Sequence, residues 1–229
     1  MIIDKKFTFT NLNLPTLNRY NVDNVRVYEV PKNGETKKMV SITSITSNYK
    51  KEFFDKWRKR VGLEEANRIT KQSTDRGTDT HTLIENYLLG QELEDGKTIL
   101  PISKMLFSIA KRDINRINNI HCLESSLYSE QLNVAGTVDT IAEFDGILSV
   151  IDYKTSHSPK PRDWIESYFV QAMFYAMAFY EMTGHKAKQL VIIMACEDGE
   201  CVVYKETDLK KYAKLLLKYI KKFIADRGG

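Results

Sequence analysis

Residues 151–156 read Ile-Asp-Tyr-Lys-Thr-Ser and close an apolar run that opens with Ile-Leu-Ser-Val at Ile147. Side chains two apart on a strand leave from the same face, so a strand here points Asp152 and Lys154 the same way. A carboxylate and an ammonium at the end of a buried strand are costly to desolvate unless they pair or bind something. Alone, an Asp-x-Lys triplet is short enough to recur by chance and reads as well as a salt bridge or an exposed strand end. A second stretch changes that balance. Thirteen residues before Asp152, Gly136-Thr137-Val138-Asp139 lies in the preceding β-prone run, and Asp145-Gly146 is a turn signal between the two. Six residues precede Asp145 and six follow Gly146, so an antiparallel hairpin sets Asp139 opposite the Asp152 region. Two carboxylates brought to one place repel unless a cation lies between them, and an oxygen-rich site suits Mg²⁺ or Mn²⁺. Gly136, lacking a side chain, leaves room beside it.

Outward from this hairpin, residues 122–130 (CLESSLYSE) add a further β-prone run, and with 132–144 and 147–153 they read as a three-stranded meander. A helix is expected from Arg162 to Met182, stopped by Thr183-Gly184. Then come the strand-like QLVIIMAC and ECVVYK around the turn Glu197-Asp198-Gly199. An amphipathic helix from Asp208 to Ala225 follows, with Leu209, Tyr212, Leu215, Leu216, Tyr219 and Phe223 on one side. Upstream, a helix is expected over Lys104–Asn118 after Pro101, and residues 49–90 are rich in helix formers, with Ser73 or Thr74 placed to cap a second helix running through HTLIENYLL to Gly90. The first 45 residues read as strands, VRVYEV and KKMVSITSI flanking the turn Pro31-Lys32-Asn33-Gly34. The whole is an α/β (α+β) chain with a central mixed sheet and helices against it. We read residues 1–229 as one unit: an accessory β layer (1–45), a helical lobe (46–118) and a core (119–229).

At 229 residues the chain is long enough for a sizeable core, and its 42% hydrophobic and 28% charged residues fit a water-soluble globular protein, not a disordered or collagenous one. No apolar run approaches the roughly 18 residues of a membrane span. The start MIIDKKFTFT lacks the pattern of a signal peptide, so the expected location is the cytoplasm, bacterial or of a phage-infected cell. Cys122, Cys196 and Cys201 are odd in number and lack C-x-x-C spacing, which argues against a disulfide framework, a cysteine zinc site and a four-cysteine iron–sulfur cluster. The formal charge is +4, but Lys50, Lys51, Lys56, Arg58, Lys59 and Arg60 crowd one short stretch. That run is either a phosphate-facing surface or a solvated helix face.

Gly136-Thr137-Val138-Asp139, then Asp152-Tyr153-Lys154, then Gln171 and Tyr175 four apart on a helix resemble the GxxD, DxK and QxxxY succession of the RecB-type branch of PD-(D/E)XK nucleases. Upstream, Arg76-Gly77-Thr78-Asp79-Thr80-His81 with Glu85 is similar to the RGTxxHxxxE helix of that branch. The resemblance spans about residues 41–225 and is nearest to the mitochondrial genome maintenance exonuclease-like group with its phage and bacterial members. It implies a restriction-endonuclease-like core and hydrolysis of DNA, single-stranded and from free ends, with Mg²⁺ or Mn²⁺ and with a replication or recombination protein as a further partner. In that family the acids at Asp139 and Asp152 and the carbonyl of Tyr153 hold the metal, and the lysine at Lys154 orients or deprotonates the attacking water. The histidine at His81 joins the metal shell, whereas a lone helical histidine would ordinarily be a capping or core residue. Glu85, one turn on, supports it. An acid near Glu124 lies beside the site in relatives; on its own terms Glu124 reads equally well as part of a surface salt bridge.

Gln171 and Tyr175 share a helical face from which an amide and a phenol reach a scissile phosphate or the catalytic lysine; without the resemblance they are core-lining residues. Arg76, Thr155, Ser156, Lys160 and Arg162 are candidate contacts to the DNA backbone, the last two in a loop stiffened by Pro159 and Pro161. Trp57 and Arg58, with Tyr49, Phe53 and Phe54, mix aromatic and basic groups in the manner of single-strand binders, or else form the core of the helical lobe. His121, His157 and His185 carry no motif. The same metal chemistry serves a recombination exonuclease acting on duplex ends or a structure-specific endonuclease. A non-catalytic DNA-binding subunit with the same fold has no chemical reason to keep Asp139, Asp152 and Lys154 together.

Overall fold

A computed structural model describes residues 7–32, 34–93 and 96–228. Asn33 of the expected hairpin turn and residues 1–6 of the opening segment lie outside the described residues. Strands β1 (Asn18–Val22), β2 (Val25–Lys32) and β3 (Glu35–Ser41) form a meander whose first turn, Asp23-Asn24, has positive φ at both residues, as a tight hairpin requires. Expected strand stops early: Ser41 accepts the amide of Thr43 at 3.2 Å and caps helix α1 (Ile42–Tyr49), so Ile42–Ile45 are helical. Helices α2 (Lys51–Val61) and α3 (Leu63–Leu89) follow. No second helix begins at Ser73 or Thr74. The Thr74 hydroxyl donates one turn back to the carbonyl of Thr70 at 2.9 Å, leaving α3 unbroken until Gly90 takes the left-handed conformation at its end.

After α4 (Pro101–Ile114) the expected meander appears as β4 (Ile117–Ser129), β5 (Val134–Phe144) and β6 (Ile147–Ser156). A 3₁₀ turn at Arg162–Ile165 leads into α5 (Glu166–Thr183), then β7 (Gln189–Cys196), β8 (Cys201–Glu206) and α6 (Leu209–Ala225), which Asp208 caps. Among the described residues one mixed sheet runs β1-β2-β3-β5-β6-β7-β8, with β4 on the other edge of β5. The N-terminal hairpin therefore extends the central sheet: β3 joins β5 in parallel at Val40 and Ser41. β7 lies between parallel β6 and antiparallel β8 and is buried along its whole length, the apolar pattern of a strand covered on both faces.

The two faces carry separate cores. Val150, Ile192 and Met194 pack with Phe169, Phe174 and Phe179 of α5 and with Tyr212, Leu216 and Phe223 of α6. Ile151, Tyr153, Val191 and Ile193 pack on the opposite side with Ile84 and Leu88 of α3 and with Leu106, Ala110 and Ile114 of α4. No helix of the described residues is long and apolar enough to cross a membrane.

Candidate active site

β5 has two neighbours on a single edge. Val134 and Ala135 pair with β3, Thr140–Phe144 pair with β6, and Gly136–Asp139 lie between without a strand partner on that edge. The hairpin ladder closes from Phe144↔Ile147 to Thr140↔Ile151 and then stops. The next inward amide, that of Tyr153, donates to Asp139 Oδ2 at 2.9 Å, so a side chain takes over the ladder's role. On the same side of this gap the Tyr153 carbonyl lies 2.9 Å from His81 Nε2, which α3 presents. His81 Nδ1 is 3.7 Å from Asp139 Oδ2 and 3.9 Å from Glu124 Oε1. Glu124 stands across from Asp139 because β4 pairs Leu123 with Thr140 and Ser125 with Val138. Its φ of 44° is left-handed, a conformation that a glutamate adopts only where its surroundings hold it there.

Asp152 pairs with Lys154, whose Nζ is 2.6 Å from each carboxylate oxygen. Oδ1 receives the hydrogen bond; Oδ2, also buried, is ion-paired with the same ammonium but lacks hydrogen-bond geometry. Burial pushes the Asp152 carboxyl up, Lys154 opposes this, and Asp139 adds to it. Lys154 is half-buried, and its desolvation favours the neutral form, but Asp152 and Asp139 outweigh that and keep its proton on. Burial likewise works against a charged His81, yet Asp139 and Glu124 raise it to about 9. The site thus gathers carboxylates whose mutual repulsion only cations relieve.

A profile of the PD-(D/E)XK nuclease superfamily matches residues 91–226, more than half of the chain. The chain belongs to the PD-(D/E)XK nuclease superfamily. It is similar to mitochondrial genome maintenance exonuclease 1 of Homo sapiens, at 31% identity over 155 residues, 63% of this chain and 44% of that protein. The protein of the same name from Mus musculus is 33% identical over 113 residues, 48% of this chain and 33% of that protein. This PD-(D/E)XK chain therefore spans less than half the length of the curated relatives it matches. A solved structure described as a candidate exonuclease from Eubacterium rectale superposes with a TM-score of 0.48 at 12% identity, over 67% of this chain and 65% of that one.

Nucleases of this superfamily use a divalent metal, and the donor set of this PD-(D/E)XK site fits one. Ligand atoms of His81, Glu124 and Asp139 lie within 4.8 Å of one another, the buried Asp152 carboxylate, ion-paired with Lys154, lies on the neighbouring strand β6, and the Tyr153 carbonyl adjoins. Glu124 thus joins the ligating cluster, a closer place than its sequence suggested. Counting back from the β4–β5 turn would have found it, since 124 and 139 face each other once 129 is set against 134. Glu85 stands outside the trio; burial and the nearby Glu124 push its carboxyl up.

Gln171 and Tyr175 occupy the α5 side of the gap. The Gln171 amide donates to the Tyr175 hydroxyl at 3.5 Å, and Tyr175 is only 1% exposed. The room that Gly136 leaves is filled: a methyl group there would meet Tyr175 Cε1 at 2.8 Å, and Tyr175 Oη and Ile42 Cγ2 at 2.9 Å. Arg76 pairs with Glu197 of the β7–β8 turn and donates to Thr155 Oγ1 at 3.3 Å. Arg162 donates to the Lys205 carbonyl at 2.8 Å and to Glu206 at 2.7 Å. With Thr155, Ser156, Lys160 and Tyr168, Arg76 lines a cleft of about 490 Å³ beside the catalytic strand. Trp57 and Arg58 lie elsewhere, in a cleft of about 770 Å³ formed with Arg26, Phe54 and Arg227. α2, which carries them, has no buried residue.

Proposed function

We propose that this chain is a divalent-metal-dependent deoxyribonuclease that hydrolyses phosphodiester bonds, working on single-stranded DNA from free ends. The observation that carries the reading is the convergence of His81, Glu124 and Asp139 beside the ion pair of buried Asp152 with half-buried Lys154. Mg²⁺ or Mn²⁺ would be held by Asp139, Asp152 and the Tyr153 carbonyl, with His81 and Glu124 completing the shell. When bound, it polarises a phosphoryl oxygen and lowers the pKa of a coordinated water. Lys154, held charged by Asp152, orients the attacking water and donates to the oxygen on which charge develops. Tyr175, buried, positions Gln171, whose amide faces the same gap. Action from free ends is supported by the likeness to relatives named as exonucleases, and single-strand preference is what the motif resemblance implies.

The test is cleavage of end-labelled linear single strands, blunt duplexes and circular single strands, with Mg²⁺, with Mn²⁺ and with chelator. Linear single strands should be degraded and circles spared; Asp152→Ala and Lys154→Ala should abolish cleavage while DNA binding survives. Cleavage of circles would make the enzyme an endonuclease, and preference for blunt ends a duplex-end exonuclease. Full activity of either variant would remove the site from consideration. Absence of Mn²⁺ binding in a calorimetric titration would favour a non-catalytic DNA-binding chain.

A further inference from the structure

Three lysines converge on one aromatic ring next to the catalytic strand. Lys50 comes from the α1–α2 junction, Lys154 from β6, and Lys160 from the loop after β6. Their Nζ atoms lie 5.0, 5.1 and 5.9 Å from the ring centroid of Tyr168, in the first turn of α5. Cation–π attraction offsets such crowding by only about 0.5–2 kcal/mol per contact. Lys154 has Asp152 as its partner, but among the described residues neither Lys50 nor Lys160 has a carboxylate within 4.0 Å. Their polar contacts are to neutral oxygens, Lys50 Nζ to the Trp164 carbonyl at 3.4 Å and Lys160 Nζ to the Tyr168 hydroxyl at 3.5 Å.

The arrangement is held by the backbone. The Lys50 amide donates to Ser47 at 3.1 Å and its carbonyl accepts from Phe54 at 3.1 Å. The Lys160 carbonyl accepts the Tyr204 hydroxyl at 2.7 Å, and Pro159 and Pro161 restrict the chain on either side. Burial and the charges of Lys160 and Lys154 lower Lys50 to about 8, against the pull of Glu166. Lys160 and Tyr168 open onto the cleft shared with Arg76, Thr155, Ser156 and His157. Ammonium groups crowded without a carboxylate in contact, one of them lining a cleft, are what an oxyanion stabilises.

We propose that Lys50, Lys160 and Tyr168 form an anion subsite beside Lys154 that takes a phosphate of the nucleic-acid strand other than the one being cleaved. This rests on the nuclease reading and adds to it a second point of purchase on the substrate. An internal phosphodiester and a terminal phosphate share the required chemistry.

The test uses the full chain as wild type, Lys50→Gln, Lys160→Gln and the double variant, with Lys→Arg at each position as the conservative control. Affinity for fluorescent single-stranded DNA is read by anisotropy in EDTA between 50 and 200 mM salt, where no cleavage intervenes. Each Gln variant should bind about tenfold more weakly and lower the slope of log K against log salt by about 0.7, with Arg restoring both. In cleavage assays KM should rise by a similar factor, more than kcat falls. Tyr168→Leu, which removes the ring that gathers the ammonium groups, should weaken binding in the same way and serves if a lysine variant fails to fold. Wild-type affinity and slope in folded Gln variants would overturn the subsite. A loss confined to strands bearing a 5′- or 3′-phosphate assigns a terminal phosphate, and an equal loss on hydroxyl-ended strands assigns an internal one. A wild-type chain that binds DNA but cleaves none would refute the nuclease reading separately.

Discussion

Replacing Gly136 with alanine adds one methyl group at the point where β5 has no strand beside it on the edge shared by β3 and β6. Carbon atoms settle at about 3.5–4.0 Å from one another. The new methyl would sit 2.8 Å from Tyr175 Cε1 and 2.9 Å from both Tyr175 Oη and Ile42 Cγ2, so each contact is short by roughly 0.6 Å or more. Neither neighbour has free space, since Tyr175 is 1% and Ile42 0% exposed. Overpacking of this kind costs about 1–3 kcal/mol. The strain goes to the site, because the ring that must move carries the hydroxyl that Gln171 meets and lies within the field of Asp139. Gly136→Ala should therefore lose about 1–3 kcal/mol in urea unfolding, with an unchanged m-value. At a temperature where it stays folded, it should cleave DNA about tenfold or more slowly, as expected when a positioning group shifts by a fraction of an ångström. A variant as stable and as active as wild type would show that the packing of Tyr175 against β5 does not set the geometry of the site.

Glu124→Gln keeps the size of the side chain but removes its charge from the His81–Asp139 cluster; Mn²⁺ affinity measured by calorimetry should fall about tenfold or more, and an unchanged affinity would exclude Glu124 from the shell. Asp145, at the β5–β6 turn, is held well below the usual carboxylate range by Arg116 and Lys205. A carboxyl depressed in the folded state contributes stability above its unfolded pKa of about 3.9 and loses it as pH falls through the folded value. Asp145→Asn should thus cost about 0.5–1 kcal/mol at pH 7, the range for half-exposed ion pairs, and the gap from wild type should shrink below about pH 4. A gap that widens on acidification would show the sign to be wrong.

The second half of the chain was legible because its signals are local. Asp145-Gly146 fixes one hairpin, Thr183-Gly184 stops α5, and the apolar stripe from Leu209 to Phe223 requires a buried helix face. The pairing of Asp139 with the Asp152 region followed from counting residues to that turn. What stayed hidden depends on contacts between distant segments. Residues 42–45 look like the continuation of a strand until the Ser41 hydroxyl caps α1, and Thr74 looks like a helix start until its hydroxyl turns back on α3. Glu124 reads as an ordinary surface acid because its left-handed φ and its place opposite Asp139 arise only when β4 pairs with β5. The three lysines around Tyr168 come from segments more than a hundred residues apart in sequence at the extremes, so no window of sequence contains them.

The gap in the sheet also bears on how such a chain can change. Asp139 has two tasks on this reading: one oxygen completes the backbone network through the Tyr153 amide, and the same carboxylate supplies negative charge to the proposed metal site. Alanine there would silence the chemistry and strand a donor in the middle of the sheet, at about 1–3 kcal/mol. Asparagine would silence it and still receive that amide. On the proposed function, a descendant that abandons cleavage but keeps this scaffold therefore has a folding reason to pass through asparagine rather than alanine.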